Sequence, residues 1–551
     1  MRKEKILIIG GVAAGTKTAA KIMRENPEAE VVIVTKDEHI SYAGCGLPYF
    51  IGGIIEEEKE LVVKTPEEFT LATGADVFIK HEAKTIDMEK KEAVVVNYEN
   101  GEEKIYSFDK LVFATGASPF VPPIKGIELD NVYSLRRVTD AIKIRKVVDD
   151  GEIRDAVVIG GGFIGLEVAE NLKERGVNVS IIELVPHILP PFDEEMALLA
   201  QRHMIEKGVD IFGDEKAVAI EGKEKVTGVQ TDKRSLKADL VIVSVGVRPN
   251  VALAKSIGVK LGETGAIKIN DRMETNLKNV FAVGDCAETK NLITGKSVWY
   301  PMGSTANKMG RIAGINIGGD VEKDNLKGVL GTTVVKLFGV NAAKTGLSER
   351  DATKLGYEVQ SVIVPANDRA HYFPGYRRIV TKLIAEKESG RLLGAQIIGE
   401  GVVDKPIDIL ATAITFGAKV EDLEKLDLAY APPFSSAMAS TIVAANVLRN
   451  VYKGKLQTIN PRILKDRLDE VVVLDVRDEA SHFIRSIPGS VNIYSAEIQM
   501  KANELDKTKE TVIVCKIGKE AYLTLLKLKA MGFEDVKILE GGMEAYAYET
   551  E

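Results

Sequence analysis

The sequence predicts an α/β chain with two doubly wound parallel sheets and a smaller α/β unit at its C-terminal end. Three observations predict it. An apolar strand at residues 6–9 runs into Gly10-Gly11-Val12-Ala13-Ala14-Gly15, a helical stretch at 16–24 and a second apolar strand at 31–34. The same order recurs as a strand at 157–159, Gly160-Gly161-Gly162-Phe163-Ile164-Gly165, a helical stretch at 166–175 and a strand at 179–182. From about residue 455 the pattern changes to short strands that end in charged or cysteine-bearing loops.

A chain of 551 residues holds several domains, and its 45% hydrophobic and 28% charged residues are ordinary for a soluble globular protein. A net charge of −8 argues against a nucleic-acid surface, so no nucleic-acid partner is expected. Three cysteines suit a reducing compartment rather than a disulfide scaffold. The first strand starts almost at the N-terminus and leaves no room for a signal peptide, and no apolar run reaches the length of a membrane span. The composition thus implies a cytoplasmic protein with no membrane partner, and no residues are assigned to a metal.

Each glycine turn lies between a strand and a helix. Glycine permits the tight turn and close backbone approach there, and the helix N-terminus faces a pyrophosphate. The second turn matches G-x-G-x-x-G in full, with Gly160, Gly162 and Gly165 as the glycines and Phe163 and Ile164 between them. The first has Val12 and Ala13 between Gly10 and Gly15. Two matches in the same context imply two dinucleotides: a flavin at one site and a nicotinamide at the other. The strand at 179–182 is followed by Glu183, whose carboxylate would accept from both ribose hydroxyls and repel a 2′-phosphate, favouring NADH over NADPH. The corresponding position in the first unit is Thr35, followed by Lys36. Two further buried strands, at 111–113 and 280–283, end in Ala114-Thr115-Gly116 and Gly284-Asp285. A strand-terminal Asp suits a polyol hydroxyl.

Cys45 stands alone in Ser41-Tyr42-Ala43-Gly44-Cys45-Gly46-Leu47-Pro48-Tyr49, with Cys286 and Cys515 hundreds of residues away. A disulfide formed by Cys45 must therefore involve an outside sulfur, or the thiol must cycle through a sulfenate or persulfide. The segment reads as the start of a helix, whose dipole would lower the thiol pKa.

These segments, together with Val245-Gly246-Val247-Arg248-Pro249-Asn250, carry a resemblance over about residues 1–450 to the FAD- and NAD(P)H-dependent pyridine nucleotide-disulfide oxidoreductases. The single cysteine resembles that of the branch containing coenzyme A-disulfide reductases and NADH-dependent persulfide reductases. The resemblance implies FAD and NADH as cofactors, and coenzyme A disulfide, coenzyme A persulfide or polysulfide as substrates. It implies an α+β dimerisation domain from Gly331-Thr332-Thr333-Val334-Val335-Lys336-Leu337-Phe338 onward, and hence a homodimer. Two partner-chain tyrosines approach the cysteine in that family. Tyr430, in Tyr430-Ala431-Pro432-Pro433, matches the second; Tyr372, in His371-Tyr372-Phe373-Pro374, is favoured over Phe373 as the first. Arg24 matches an arginine that meets the coenzyme A nucleotide, and Ser41 is a second candidate substrate contact. Glu167 resembles a glutamate that helps place the nicotinamide, and Phe163 is a candidate gate to that pocket.

At the C-terminal end, Asp475-Val476-Arg477, then Cys515-Lys516-Ile517-Gly518-Lys519-Glu520 after an apolar strand, then Gly541-Gly542-Met543, resemble a rhodanese domain. A cysteine at a strand end before a short loop and helix sits among converging backbone N–H groups that stabilise a thiolate or persulfide. The family loop usually ends in Arg, and Glu520 here speaks against thiosulfate as donor. The join at Lys453-Gly454-Lys455 reads as flexible. The implied domains are a split FAD-binding domain (1–122 and 248–326), an NAD-binding domain (123–247), a dimerisation domain (327–452) and a rhodanese domain (455–551). Two rival readings exist. One is a flavin NADH oxidase or peroxidase working through a Cys45 sulfenate; Ala13, where peroxide-reducing relatives carry His, counts against peroxide and leaves oxygen reduction open as a side activity. The other is a sulfur-transfer protein with scaffold domains, against which stand two intact nucleotide turns.

Overall fold

The computed structural model describes residues 3–319 and 323–551. The chain divides into two compact units, Met1–Ile182 with Glu215–Val329, and Glu183–Asp214 with Leu330–Glu551.

The first unit carries two parallel sheets. One is ordered Val280–Ala282, Lys110–Phe113, Lys5–Ile9, Glu30–Val34, Asp76–Phe78, and every neighbouring pair is parallel. The central strands are near-continuous apolar runs because they are covered by the helix Ala13–Glu25 and by the antiparallel sheet of His81–Asp87, Glu92–Asn97 and Glu103–Ser107, and Ile6, Ile8, Ile33, Val112 and Phe113 are buried. In the second sheet Asn178–Ile182, Asp155–Ile159, Leu240–Val243 and Val132–Tyr133 lie side by side in parallel. Both glycine-turn helices start earlier than their apolar periodicity predicts. They span Ala13–Glu25 and Phe163–Glu174. The turn therefore closes directly onto the helix N-terminus, with Val12 and Gly162 as the capping residues. The two parallel sheets are joined by two strands, Ala117–Pro119 and Val247–Pro249, which pair antiparallel.

The second unit holds a five-stranded antiparallel sheet ordered Thr333–Leu337, Val340–Gly346, Leu392–Gly399, Arg378–Glu386, Val359–Asn367. Helices Asp404–Thr415 and Ser440–Tyr452 belong to the same unit. Its last part is a parallel sheet ordered Thr458–Ile459, Val536–Leu539, Thr511–Val514, Val472–Asp475, Val491–Asn492. The fold class is thus α/β with two doubly wound sheets, an α+β part and a C-terminal α/β part.

The join at Lys453–Lys455 is ordered, contrary to the sequence expectation. Gly454 adopts φ +65°, its N–H donates to the Val451 carbonyl (2.9 Å), and that of Lys455 donates to the Asn450 carbonyl (3.0 Å). These bonds close the helix Ser440–Tyr452 as a left-handed cap. Val447 and Val451 of that helix pack against the C-terminal core that contains Leu456 and Leu474. Glycine supplied the cap conformation here rather than a hinge. No helix among the described residues is long and apolar enough to cross a membrane.

Candidate functional site

In the first unit the glycine turns occupy matching positions. The Gly10 N–H donates to the Val34 carbonyl and the Gly160 N–H to the Ile182 carbonyl, each at 2.8 Å. Both residues have φ above +100°. A Cβ on Gly10 would lie 2.1 Å from the Ala114 carbonyl oxygen, and one on Gly160 2.3 Å from that of Ser244. The turns thus require glycine because a second strand exit presses on each. Gly15 and Gly165 are buried at the helix starts. At Gly162 and Gly246, by contrast, an added Cβ meets nothing within 4 Å, which leaves open space beside the second turn. A tight glycine turn closing onto a helix N-terminus fits a dinucleotide pyrophosphate at both places, and the second turn has open space beside it.

The other strand exits converge on the first turn. Ala114 N–H donates to the Ile9 carbonyl (2.8 Å), and the Thr115 hydroxyl donates to the Asn250 carbonyl (2.6 Å). Gly116 turns the chain at φ +65°. A Cβ on Gly284 would meet that of Ala14 at 2.8 Å. Asp285 follows, accepting from Arg136 Nη2 at 2.7 Å. Thr35 is buried beside the first turn, Lys36 is exposed, and Arg24 is exposed in the last turn of its helix.

Ser41 donates its N–H to the Gly11 carbonyl (3.0 Å) and sits at φ +47°, a strained conformation for a non-glycine residue. Four residues on, Cys45 is exposed in the single 3₁₀ turn Gly44–Gly46, which leads into the helix Leu47–Ile51. The thiol pKa is raised, first by desolvation and then by the Glu167 carboxylate; Arg136 opposes the shift and Asp285 adds to it. The dipole-lowered thiol expected from sequence is therefore not what the chain itself provides. The following helix has only five residues, too few to outweigh desolvation and a facing carboxylate.

Glu167 reaches this place from the second glycine helix. Its Oε1 accepts from the Tyr49 hydroxyl at 3.4 Å. Desolvation pushes the carboxyl up to about 7, the Tyr49 hydrogen bond opposes the shift, and Glu170 adds to it. Phe163 and Ile164 begin the same helix, Ile164 being exposed. The redox cysteine candidate, Arg136, Tyr49 and Glu167 thus form one electrostatic group.

In the second unit Glu183 is buried, and its Oε1 accepts from the Val185 N–H at 3.1 Å. Tyr372 and Tyr430 are both exposed, and their hydroxyls meet at 3.0 Å. Phe373, the alternative to Tyr372, has no hydroxyl to join that pair. Cys515 follows the strand Thr511–Val514 and is buried. Its Sγ accepts from the Gly518 N–H (3.1 Å) and the Ala521 N–H (3.3 Å). Burial raises the thiol pKa, the backbone donors oppose it, and Glu520 adds to the rise. Cys286, directly after Asp285, is fully buried against the Phe113 and Val283 carbonyls.

Residues 4–310 match the family model for pyridine nucleotide-disulphide oxidoreductases, a span of more than half the chain. The chain belongs to that family. Residues 332–442 match its dimerisation domain and residues 460–549 a rhodanese-like domain. A Pyrococcus furiosus protein described as an NAD(P)H sulfur oxidoreductase (CoA-dependent) is 42% identical over 450 residues, covering 82% of this chain and 100% of the relative. Among solved structures, a reduced Bacillus anthracis CoADR-RHD aligns with TM-score 0.94 at 35% identity, covering 99% of this chain and 98% of the other. An NAD-dependent persulfide reductase from A. fulgidus aligns with TM-score 0.93 at 40% identity, covering 98% and 100%. This member of the family is therefore an FAD- and NAD(P)H-dependent oxidoreductase with a fused rhodanese domain.

Sequence reading missed two residues of this oxidoreductase's cysteine site. Tyr49 lies within the Cys45 stretch, but nothing in its spacing pairs it with Glu167, 118 positions away. Arg136 precedes the helix Val138–Asp149 without a motif. Only the packing of strand exits brings it to Asp285.

Proposed function

We propose that the chain is a homodimeric, cytoplasmic reductase that uses NADH to reduce coenzyme A disulfide, coenzyme A persulfide or polysulfide, with Cys45 as the redox sulfur. The observation that carries this reading is one exposed thiol, without a cysteine partner, set beside a carboxylate of the nicotinamide-side helix and the arginine–aspartate pair of the flavin side. The relative described as a CoA-dependent NAD(P)H sulfur oxidoreductase and the solved structure described as an NAD-dependent persulfide reductase support it. All three cysteines are free, as a reducing compartment would keep them.

Gly10, Val12, Ala13, Gly15, Thr35, Lys36, Ala114, Thr115, Gly116, Gly284 and Asp285 would hold FAD. Gly160, Gly162, Phe163, Ile164, Gly165, Glu167, Glu183 and Gly246 would hold the nicotinamide dinucleotide. FAD, when bound, supplies the relay of two electrons from NADH to sulfur. The chain's own residues do the rest. Cys45 attacks coenzyme A disulfide, the S–S bond breaks, one coenzyme A thiolate leaves, and Cys45 is left as a mixed disulfide. Two electrons then cleave that bond, restoring the Cys45 thiolate and releasing the second coenzyme A. With a persulfide, Cys45 takes the outer sulfur, coenzyme A leaves as thiolate, and two electrons release the sulfur as sulfide. The Tyr372–Tyr430 pair of the partner chain would hold the proton for the leaving thiolate. Arg24 and Ser41 would meet the coenzyme A moiety. Cys515 would carry sulfane sulfur on its backbone N–H nest.

The domain limits that go with this reading are 1–122 and 248–326, 123–247, 327–452, and 455–551. The strands Ala117–Pro119 and Val247–Pro249, which pair with each other, lie at the two inner crossings. NADH turnover measured in parallel against coenzyme A disulfide, coenzyme A persulfide, polysulfide and oxygen tests the reading. Sulfur substrates should dominate. Fast oxygen turnover with none on sulfur would replace it with an oxidase.

A further inference from the structure

Glu540 has no place in the chemistry above, yet its surroundings are unusual. It directly follows the strand Val536–Leu539, is 6% exposed, and takes one hydrogen bond on Oε1, from the Thr458 hydroxyl at 2.8 Å. Oε2 is buried with no hydrogen-bond partner among the described residues. A buried carboxyl oxygen left in this way is costly when charged.

The groups that face Glu540 come from three other elements. They are Glu349 of the helix Glu349–Lys354, Lys382 of the strand Arg378–Glu386, and Glu195 of the helix Glu194–Glu206. Lys382 is almost fully buried, and its Nζ lies 3.0 Å from Asp193 Oδ2, 2.5 Å from Glu195 Oε1 and 2.6 Å from Glu349 Oε2. Asn460 Nδ2 donates to the same Glu195 oxygen at 2.9 Å. Lys344, also buried, directs its ammonium to the Gly346 carbonyl (2.9 Å). One ammonium thus serves three carboxylates. A fourth negative charge would have to share that one ammonium, so Glu540 stays protonated: desolvation pushes it up to about 8, the Thr458 hydrogen bond and Lys382 oppose the shift, and Glu349 and Glu195 add to it.

From Glu540 the chain reaches the Cys515 loop in three residues. Gly541 and Gly542 both have positive φ, +70° and +58°. A Cβ on Gly542 would lie 2.3 Å from the Cys515 carbonyl oxygen, and one on Gly541 3.2 Å from Ile363 of the antiparallel sheet. The Met543 N–H then donates to the Cys515 carbonyl (3.0 Å) and the Glu544 N–H to the Lys516 carbonyl (3.1 Å). The segment is held at both ends with little slack.

We propose that Glu540 is a positioning residue for Cys515: seated neutral against the Lys382 cluster, it fixes Gly541–Met543 and through them the cysteine loop of the rhodanese domain. Loss of its proton places a fourth carboxylate against Glu195 and Glu349. Repulsion then displaces Gly541–Met543 and weakens the N–H donors on the Cys515 and Lys516 carbonyls. The loop is therefore tight below the Glu540 titration and loose above it. The functional consequence rests on Cys515 as the sulfur carrier; the structural coupling does not.

The test compares the full-length holoenzyme with its Glu540→Gln variant, which keeps shape and neutrality at every pH. Iodoacetamide labelling of Cys515 is followed by peptide mass spectrometry from pH 6.5 to 9.5. Thiolate ionisation raises the rate in both proteins, so the ratio of native chain to variant isolates Glu540. That ratio should be near one at pH 6.5 and rise about tenfold by pH 9.5 as the loop opens locally. NADH turnover with coenzyme A disulfide should be the same in the two proteins throughout, which separates loop opening from unfolding. A ratio that does not change with pH, or a variant that loses the disulfide activity, overturns the proposal. The carrier role is read separately from Cys515→Ser with a persulfide donor. Undiminished turnover there would end that role while leaving the labelling result intact.

Discussion

The Tyr372 and Tyr430 hydroxyls meet at 3.0 Å although 58 residues separate them, and both rings are exposed. The shared hydrogen bond raises the Tyr430 pKa, keeping the phenol protonated and able to donate. If the pair serves the partner's Cys45, a Cys45→Ser chain and a Tyr372→Phe/Tyr430→Phe chain should complement each other. The Cys45→Ser homodimer should be inactive on sulfur, and the double-tyrosine homodimer slow by about 10² or more for loss of a positioned acid. Randomly mixed chains should recover about a quarter of wild-type activity, since half the dimers regain one site of two. No recovery on mixing means that the tyrosines act within their own chain or not at all.

Cys45→Ser should abolish sulfur reduction and the long-wavelength thiolate-to-flavin absorption of the two-electron-reduced enzyme, while leaving flavin bleaching by NADH in place. Stopped-flow absorbance reads both. Full sulfur reductase activity in this variant would falsify the mechanism.

Glu167 faces Cys45 and raises its pKa once ionised. Its own titration lies near 7, so below that pH it is neutral and acts weakly on the thiol. Glu167→Gln should therefore lower the pH at which the thiolate absorption appears, with the largest difference above pH 7. The same sign holds for stability. A carboxyl whose folded pKa exceeds its unfolded one binds more protons when folded, and stability falls as pH rises from about 4.3 to about 7. The Gln variant should lose that slope in thermal melts. An unchanged slope means that Glu167 is not the titrating group.

Glu183 is buried next to the strand that follows the second glycine turn, and its carboxylate would oppose a 2′-phosphate. The wild type should prefer NADH, and Glu183→Ala should narrow the NADH:NADPH ratio of kcat/KM by about tenfold, equivalent to ~1.4 kcal/mol. A wild-type preference for NADPH would assign ribose discrimination to another residue.

Cys515→Ser should leave coenzyme A-disulfide reduction near normal and slow turnover with donors that must first load a protein persulfide. The loop offers Lys516 and Lys519 with Glu520 at its end, so thiosulfate:cyanide transfer should be weak even in the wild type. Equal loss of every reaction on substitution would place Cys515 inside the main redox path.

Much of this protein follows from local pattern. Gly10 and Gly160 are legible because a strand, a tight turn and a helix must occur in consecutive residues, and the same holds for Cys515 with the loop behind it. Those constraints act over a few residues, so spacing reports them, and with them the family, the fold class and the lone Cys45. What spacing does not report is which distant groups share a dielectric. The sequence reads Cys45 as the start of a helix with a lowered pKa, yet folding sets the thiol against Glu167, 122 positions on, and desolvation wins. It reads Lys453–Lys455 as a hinge, yet Gly454 caps a helix whose Val447 and Val451 pack into the C-terminal core. It is silent on Lys382, Glu195, Glu349 and Glu540, unremarkable charges along the chain. Burial brings them together, and in a dry interior one ammonium among four carboxyls decides which of them keeps its proton.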